Sequence, residues 1–258
     1  MDYELWTMNY RFFIFCQGDI LLSTEGNIPS GLEPPVTLKD WNYVTTLNEG
    51  NNEVKIIRLD NPVIGGSALQ MVPLRKSFHI LPPEDYQLAG KCAELVYFHQ
   101  NTRFCGVCGG EMRWQTEISK KCCECGKELW PSLATAIIVR VTRGDEILMV
   151  HAHSFRDRHY GLVAGFVETG ETLEDCVQRE VWEETHLRVT NIRYFASQPW
   201  PYPSGLMVGF TADYLSGDLQ LQKAELSDGG WFRRDNLPCL PDESSIAYRL
   251  IMDWAKAS

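Results

Sequence analysis

The 258-residue chain reads as an α+β protein in three parts. Short β-like runs broken by turns fill the stretch to about Pro83. A dense cysteine cluster with repeated Cys-x-x-Cys spacing follows. Beyond Trp130, strand-like runs alternate with helical patterns. The expected parts are a smaller β-rich N-terminal domain over 1–100, a four-cysteine zinc ribbon over 101–130 and a mixed α/β domain over 131–258.

In the first part YRFFIF, ILLS and NEVKIIRL are strand candidates, punctuated by GNIPSG, NEGNN and NPVIGG. PPEDYQLAGKCAELVYFHQN then reads as a helix. Pro83 and two acids suit its N-terminus, and Leu88, Cys92, Leu95 and Val96 recur at helical spacing.

CGVCGG and CCECGK form two knuckles, Cys105/Cys108 and Cys122/Cys125, with thirteen residues between them. Two such turns aim four thiolates at one point, the arrangement of a tetrahedral structural Zn²⁺ with no open position. Cys123 competes with Cys122, and the x-x spacing favours Cys122. The total of nine cysteines is odd and clustered, which is unlike a disulfide framework. A zinc ribbon that reads nucleic acid is the rival use of this motif.

In the third part ATAIIVRV, a turn at RGDE and ILMVHAH predict a hairpin. YGLVAGFVE, NIRYFASQ and GLMVGFTADYL predict further strands, and SIAYRLIMDWAKA an amphipathic closing helix. Between them, Thr172 to Glu184 laid out as a helix puts Leu173, Cys176 and Val177 on one face. That face continues through Glu180 and Glu184, with Glu183 beside it, while Glu174, Asp175, Gln178 and Trp182 point outward. A core-facing stripe that turns acidic needs compensation, because like charges at i,i+4 repel. Clustered carboxylates of this kind are an oxygen-ligand site for Mg²⁺ or Mn²⁺.

Composition sets limits. With 24 basic and 34 acidic residues the net charge is −10, which argues against a broad nucleic-acid footprint. No apolar run is long enough to span a bilayer, so no membrane partner is expected. MDYELWTMNYRFFIFCQG starts acidic with a short apolar stretch and does not read as a signal peptide, so a cytoplasmic protein is expected.

Gly165, five residues, Glu171, seven residues and then Arg179-Glu180-Val181-Trp182-Glu183-Glu184 resembles the Nudix box. The resemblance implies an α-β-α sandwich that hydrolyses nucleoside diphosphate derivatives. It implies Glu180 and Glu184 as metal ligands with Glu183 assisting, Arg179 orienting the carboxylates and the Ala164 carbonyl as a further ligand. His186 stands where the box has glycine, a position where the left-handed conformation is common.

SQPWPYPSG, residues 197–205, adds a substrate. Its prolines restrict the loop and would hold Trp200 and Tyr202 presented for base stacking. Together with the Nudix box and the ribbon, it resembles the SQPWPFPxS signature of the NADH pyrophosphatase (NAD⁺ diphosphatase) branch of Nudix hydrolases. That resemblance implies cleavage of NADH or NAD⁺ to NMNH or NMN plus AMP, removal of NAD caps from RNA 5′ ends, and a homodimer. It implies substrate contacts from Phe166, Gln198, Pro199, Trp200, Pro201, Tyr202, Pro203, Ser204, Trp130, Ala247 and Arg75. It implies Glu225, in KAEL, as an extra metal ligand, and Glu183 or Glu225 as the base. Another Nudix substrate such as ADP-ribose, and a catalytically weak nucleotide sensor, are the rival readings.

Overall fold

The computed structural model describes residues 9–50, 52–63, 68–155 and 157–256. The opening residues 1–8, and residues 64–66 of the turn read at NPVIGG, lie outside them. The chain divides into two compact units, Met1–Ser132 with Pro201–Ser204, and Leu133–Trp200 with Gly205–Ser258. Among the described residues no helix is long and apolar enough to cross a membrane.

The first unit is built on a sheet of β1 (Tyr10–Cys16), β2 (Asp19–Ser23), β3 (Ser30–Gly31), β4 (Tyr43–Glu49), β5 (Asn52–Arg58) and β6 (Leu69–Pro73). Its order is β4-β5-β1-β2-β6, with β3 paired to β1 and β1 parallel to β5. Period-2 alternation along β1 sends Phe13 and Phe15 to one face and Phe12 and Ile14 to the other. The first face is covered by α1 (Pro83–Asn101), which buries Leu88, Cys92, Leu95 and Val96. These are the residues its helical spacing singles out. A small sheet of β7 (Met112–Trp114), β8 (Lys120–Cys122) and β9 (Glu128–Leu129) carries the cysteine cluster.

The second unit is a three-layer sandwich. Its strands are β10 (Ala134–Arg143), β11 (Glu146–Ala152), β12 (Val163–Phe166), β13 (Arg188–Trp200), β14 (Gly205–Ser216) and β15 (Leu226–Arg233). They run in the order β13-β14-β10-β11-β15, with β12 on β10 and β10 parallel to β14. Ile137, Val139 and Val141 of β10 face α2 (Leu173–Thr185), meeting Cys176, Val177 and Val181. Ile138 faces the other way, toward Leu250, Ile251 and Trp254 of α3 (Ile246–Lys256). Both sheet faces are therefore covered, so β10 reads as a continuous apolar run rather than an alternation.

Candidate active site and metal centres

α2 begins at a capped end. The Thr172 hydroxyl accepts from the Asp175 amide at 3.1 Å, satisfying one of the first-turn donors. Two turns of apolar contact then anchor the helix, and the same face carries Glu180 and Glu184 inward. They are 9% and 6% exposed, whereas Glu183 is open to solvent. At the far end His186 takes φ 56°, ψ 21° and its amide bonds the Trp182 carbonyl. The left-handed turn that a glycine would serve is thus made by histidine.

One guanidinium organises the acidic end. Arg179 donates to Glu171 Oε1 at 2.8 Å and Oε2 at 3.0 Å, to Glu180 Oε1 at 2.8 Å and to Glu183 Oε2 at 3.0 Å. It also donates to the Phe166 carbonyl at 2.9 Å, which ties α2 to the end of β12. Arg179 holds the Glu171 carboxyl down to about 2. Burial pushes Glu180 up despite the same arginine. Glu184 has no such counter-charge. Its carboxylate forms no hydrogen bond or ion pair among the described residues. Burial first, and then the charges of Glu180, Glu225 and Glu183, push it up to about 8.

Glu184, Glu225 and Ala164 line a cleft of about 370 Å³. Glu225 reaches it on a loop hung from the end of α2, where the Gln220 and Gln222 amides bond the Thr185 and Glu184 carbonyls at 3.0 and 2.8 Å. His153, also on the cleft, clamps that loop twice. Its amide bonds the Glu225 carbonyl at 2.8 Å and its Nε2 donates to the Lys223 carbonyl at 3.1 Å. Sequence reasoning missed this histidine, and nothing in HAHS marks it.

Gly165 is part of the cradle, because a Cβ there would lie 1.9 Å from the Glu180 carboxylate. The donor set fits a hard divalent cation: carboxylate and carbonyl oxygens, with one buried carboxylate left without a partner.

The cysteine cluster is tighter. Among the described residues Cys105, Cys108, Cys122 and Cys125 offer sulfurs all within 4.8 Å of one another. Tetrahedral zinc with Zn–S of about 2.3 Å sets sulfurs about 3.8 Å apart. Here Cys105–Cys125 is 3.7 Å and Cys108–Cys122 is 3.4 Å. Gly109 and Gly126 close the knuckles at φ 76° and 74°, which is why glycine follows each pair. Backbone amides of Cys125 and Glu124 hold the Cys122 thiol down to about 6, as a zinc ligand requires. Cys123 is exposed and outside the group, so Cys122 is the partner in the second knuckle.

The other sequence candidates divide. In the second unit Phe166 is 66% exposed, and Trp200 is half-buried at the end of the edge strand β13 that also carries Pro199. The Gln198 amide is engaged within the second unit. Its Nε2 donates to the Ser244 carbonyl and its Oε1 accepts from the Ile246 amide, both at 2.7 Å, fastening the start of α3. Ala247 lies in that first turn and is buried.

In the first unit the expected presentation of Tyr202 is corrected. Its ring packs on the apolar core beside α1 and its hydroxyl meets that of Tyr86 at 2.6 Å. Burial there pushes its phenol upward. Pro201 is buried near Gly90, Pro203 is exposed, and Ser204 Oγ donates to the Ser132 carbonyl at 3.0 Å. Trp130 is 55% exposed, and Arg75 is exposed with its charge felt at Tyr202.

Residues 131–255 match the NUDIX domain family. A protein of Pectobacterium atrosepticum named NAD-capped RNA hydrolase NudC is 48% identical over 169 residues, spanning 65% of each chain. One of the same name from Yersinia pseudotuberculosis is 42% identical over 254 residues, covering 98% of this chain and 95% of its own. A solved NUDIX hydrolase of Nitrosomonas europaea matches with a TM-score of 0.48 and 26% identity, over 60% of this chain and 89% of its own.

Proposed function

The chain belongs to the NUDIX family, and from that premise we propose that it hydrolyses the diphosphate of NADH and NAD⁺, and of NAD-capped RNA 5′ ends, to NMNH or NMN plus the adenylate part. The observation that carries the reading is Glu184, a buried carboxylate without a partner that shares a cleft with Glu225 and Ala164. The relatives' shared name supports the substrate class.

In this reading Glu180, Glu184, Glu225 and the Ala164 carbonyl hold Mg²⁺ or Mn²⁺. Such a cation supplies charge neutralisation of the diphosphate and acidifies an attacking water. The protein's own groups do the rest. Arg179 keeps Glu180 and Glu183 aimed through the bonds described above and ties them to the Phe166 carbonyl. Glu183, exposed beside them, or Glu225 takes the proton from the water that attacks phosphorus. The open Phe166 ring stacks a base, a contact worth roughly 1–3 kcal/mol.

Arg75, Trp130, Pro199, Trp200, Pro203 and Ala247 are proposed as substrate contacts on resemblance alone. Gln198 is proposed to support the site through its bonds to the start of α3, and Pro201, Tyr202 and Ser204 to fix the loop they stand on. Zn²⁺ on the four cysteines is structural, and the layout 1–100, 101–130 and 131–258, a homodimer and a cytoplasmic setting complete the reading.

The test is steady-state turnover of NADH and ADP-ribose by the wild type, Glu184→Gln and Phe166→Ala. Loss of turnover in the first variant, and loss of the preference for NADH in the second, are expected. Wild-type turnover by Glu184→Gln would remove the metal assignment.

A further inference from the structure

The first unit holds a second cleft, of about 680 Å³, that the catalytic reading does not use. Three rings on its lining stand open to solvent: Trp41 at 63%, Tyr43 at 44% and Phe104 at 64% exposure. Cations alternate with them. Arg58 and Arg103 line the cleft, the Arg103 guanidinium sits 5.9 Å from the Phe104 ring centre, and Lys39 sits 4.8 Å over Trp41.

The cleft is built rather than incidental. Lys120 is 1% exposed, yet it lines the cleft. Its ammonium bonds the His99 and Thr102 carbonyls at 3.3 and 3.1 Å and lies 5.1 Å from the Trp114 ring centre. His99 Nδ1, on the same lining, is buried without a partner among the described residues. Trp41 is fixed by a 3.1 Å bond from its indole N–H to Asp60, which also pairs with Arg58. The one carboxylate on the lining, Glu111, is already held by Arg113 at 2.9 Å.

The charge balance selects the ligand. Arg58 is paired with Asp60 and Glu111 with Arg113, so Arg103 and Lys120 are the cations of the lining left without a paired carboxylate among the described residues, in a chain of net −10. A polyanion repelled by the rest of the surface is favoured here. Open rings between cations suit bases that are free to stack, which a duplex does not offer. We propose that this cleft binds single-stranded RNA. The proposal rests on the capped-RNA part of the function above. It also confines nucleic-acid contact to one cleft, which the overall charge allows.

The experiment measures anisotropy of a short, uncapped, fluorescein-labelled single-stranded RNA on the zinc-loaded full chain, with NADH turnover followed in parallel. Trp41→Ala and Phe104→Ala are each expected to weaken RNA binding about tenfold and to leave NADH turnover unchanged. Trp41→Phe keeps a ring and is expected to restore most of the affinity. Arg103→Ala is expected to flatten the salt dependence between about 50 and 200 mM.

Unchanged RNA binding in all the variants overturns the proposal. So does a duplex that binds as tightly as the single strand, AMP that competes as well as the oligomer, or ring variants that change the oligomeric state. If the wild type cleaves neither NADH nor capped RNA but binds the strand through these rings, the catalytic reading fails and the cleft stands.

Discussion

Replacing Gly165 by alanine tests the carboxylate cradle with a single methyl group. The added Cβ would lie 1.9 Å from Glu180 Cδ and Oε1 and 2.4 Å from Oε2. Real Cβ contacts essentially never fall below 3.0 Å, so the carboxylate must retreat by at least 3.0 − 1.9 = 1.1 Å. It is not free to retreat without consequence, because Arg179 holds it at 2.8 Å and also grips Glu171 and Glu183. Misplacing a catalytic group by about 1 Å lowers a rate by about 100-fold, or roughly 2.7 kcal/mol of barrier. The backbone at 165 is ordinary β12, so the variant is expected to fold. Gly165→Ala should therefore lower kcat for NADH about 100-fold while far-UV circular dichroism and zinc content stay those of the wild type. A kcat within threefold of wild type would refute the reasoning. So would a loss of activity that only follows a loss of folded protein.

Glu184 predicts a pH dependence. Its folded value is raised to about 8 from an ordinary 4.5, so its burial is harmless below pH 4.5 and becomes destabilising as pH rises toward 8. Metal-free Glu184→Gln should be more stable than wild type at pH 8, by up to a few kcal/mol, and no more stable at pH 4.5, as urea denaturation would read. Divalent-ion affinity should climb about tenfold per pH unit below 8, measured by calorimetry, and be lost in the same variant. Cys122→Ser should lose zinc and Cys123→Ser should keep it, by elemental analysis of the purified chains. His186 holds φ 56°, so His186→Gly should be tolerated, whereas His186→Val should lose roughly 1–2 kcal/mol in urea denaturation.

The two long helices were legible because their cores are periodic. Leu88, Cys92, Leu95 and Val96 in one, and Cys176, Val177 and the acidic continuation in the other, mark their buried faces by spacing alone. The zinc knuckles were legible because four ligands lie close in sequence. β15 was not, since Asp228-Gly229-Gly230 reads as a turn until β11 pairs with it across the sheet.

The bonds of Gln198, and His153 altogether, escaped for the same non-local reason. Gln198 sits in a motif that suggests a ligand, but its amide is used 46 and 48 residues away at the start of α3. His153 acts on a loop 70 residues downstream. The alternating prolines around Tyr202 stiffen the loop without saying which way the ring turns. The apolar surface beside α1 decides that.

The most direct test of the central claim is product analysis by mass spectrometry on NADH, ADP-ribose and a short NAD-capped RNA, each incubated with the zinc-loaded chain and Mg²⁺ or Mn²⁺. NMNH plus AMP from NADH, NMN from the capped RNA and little cleavage of ADP-ribose is the predicted result. Intact NADH and intact capped RNA, with the metals verified as bound, would contradict the account.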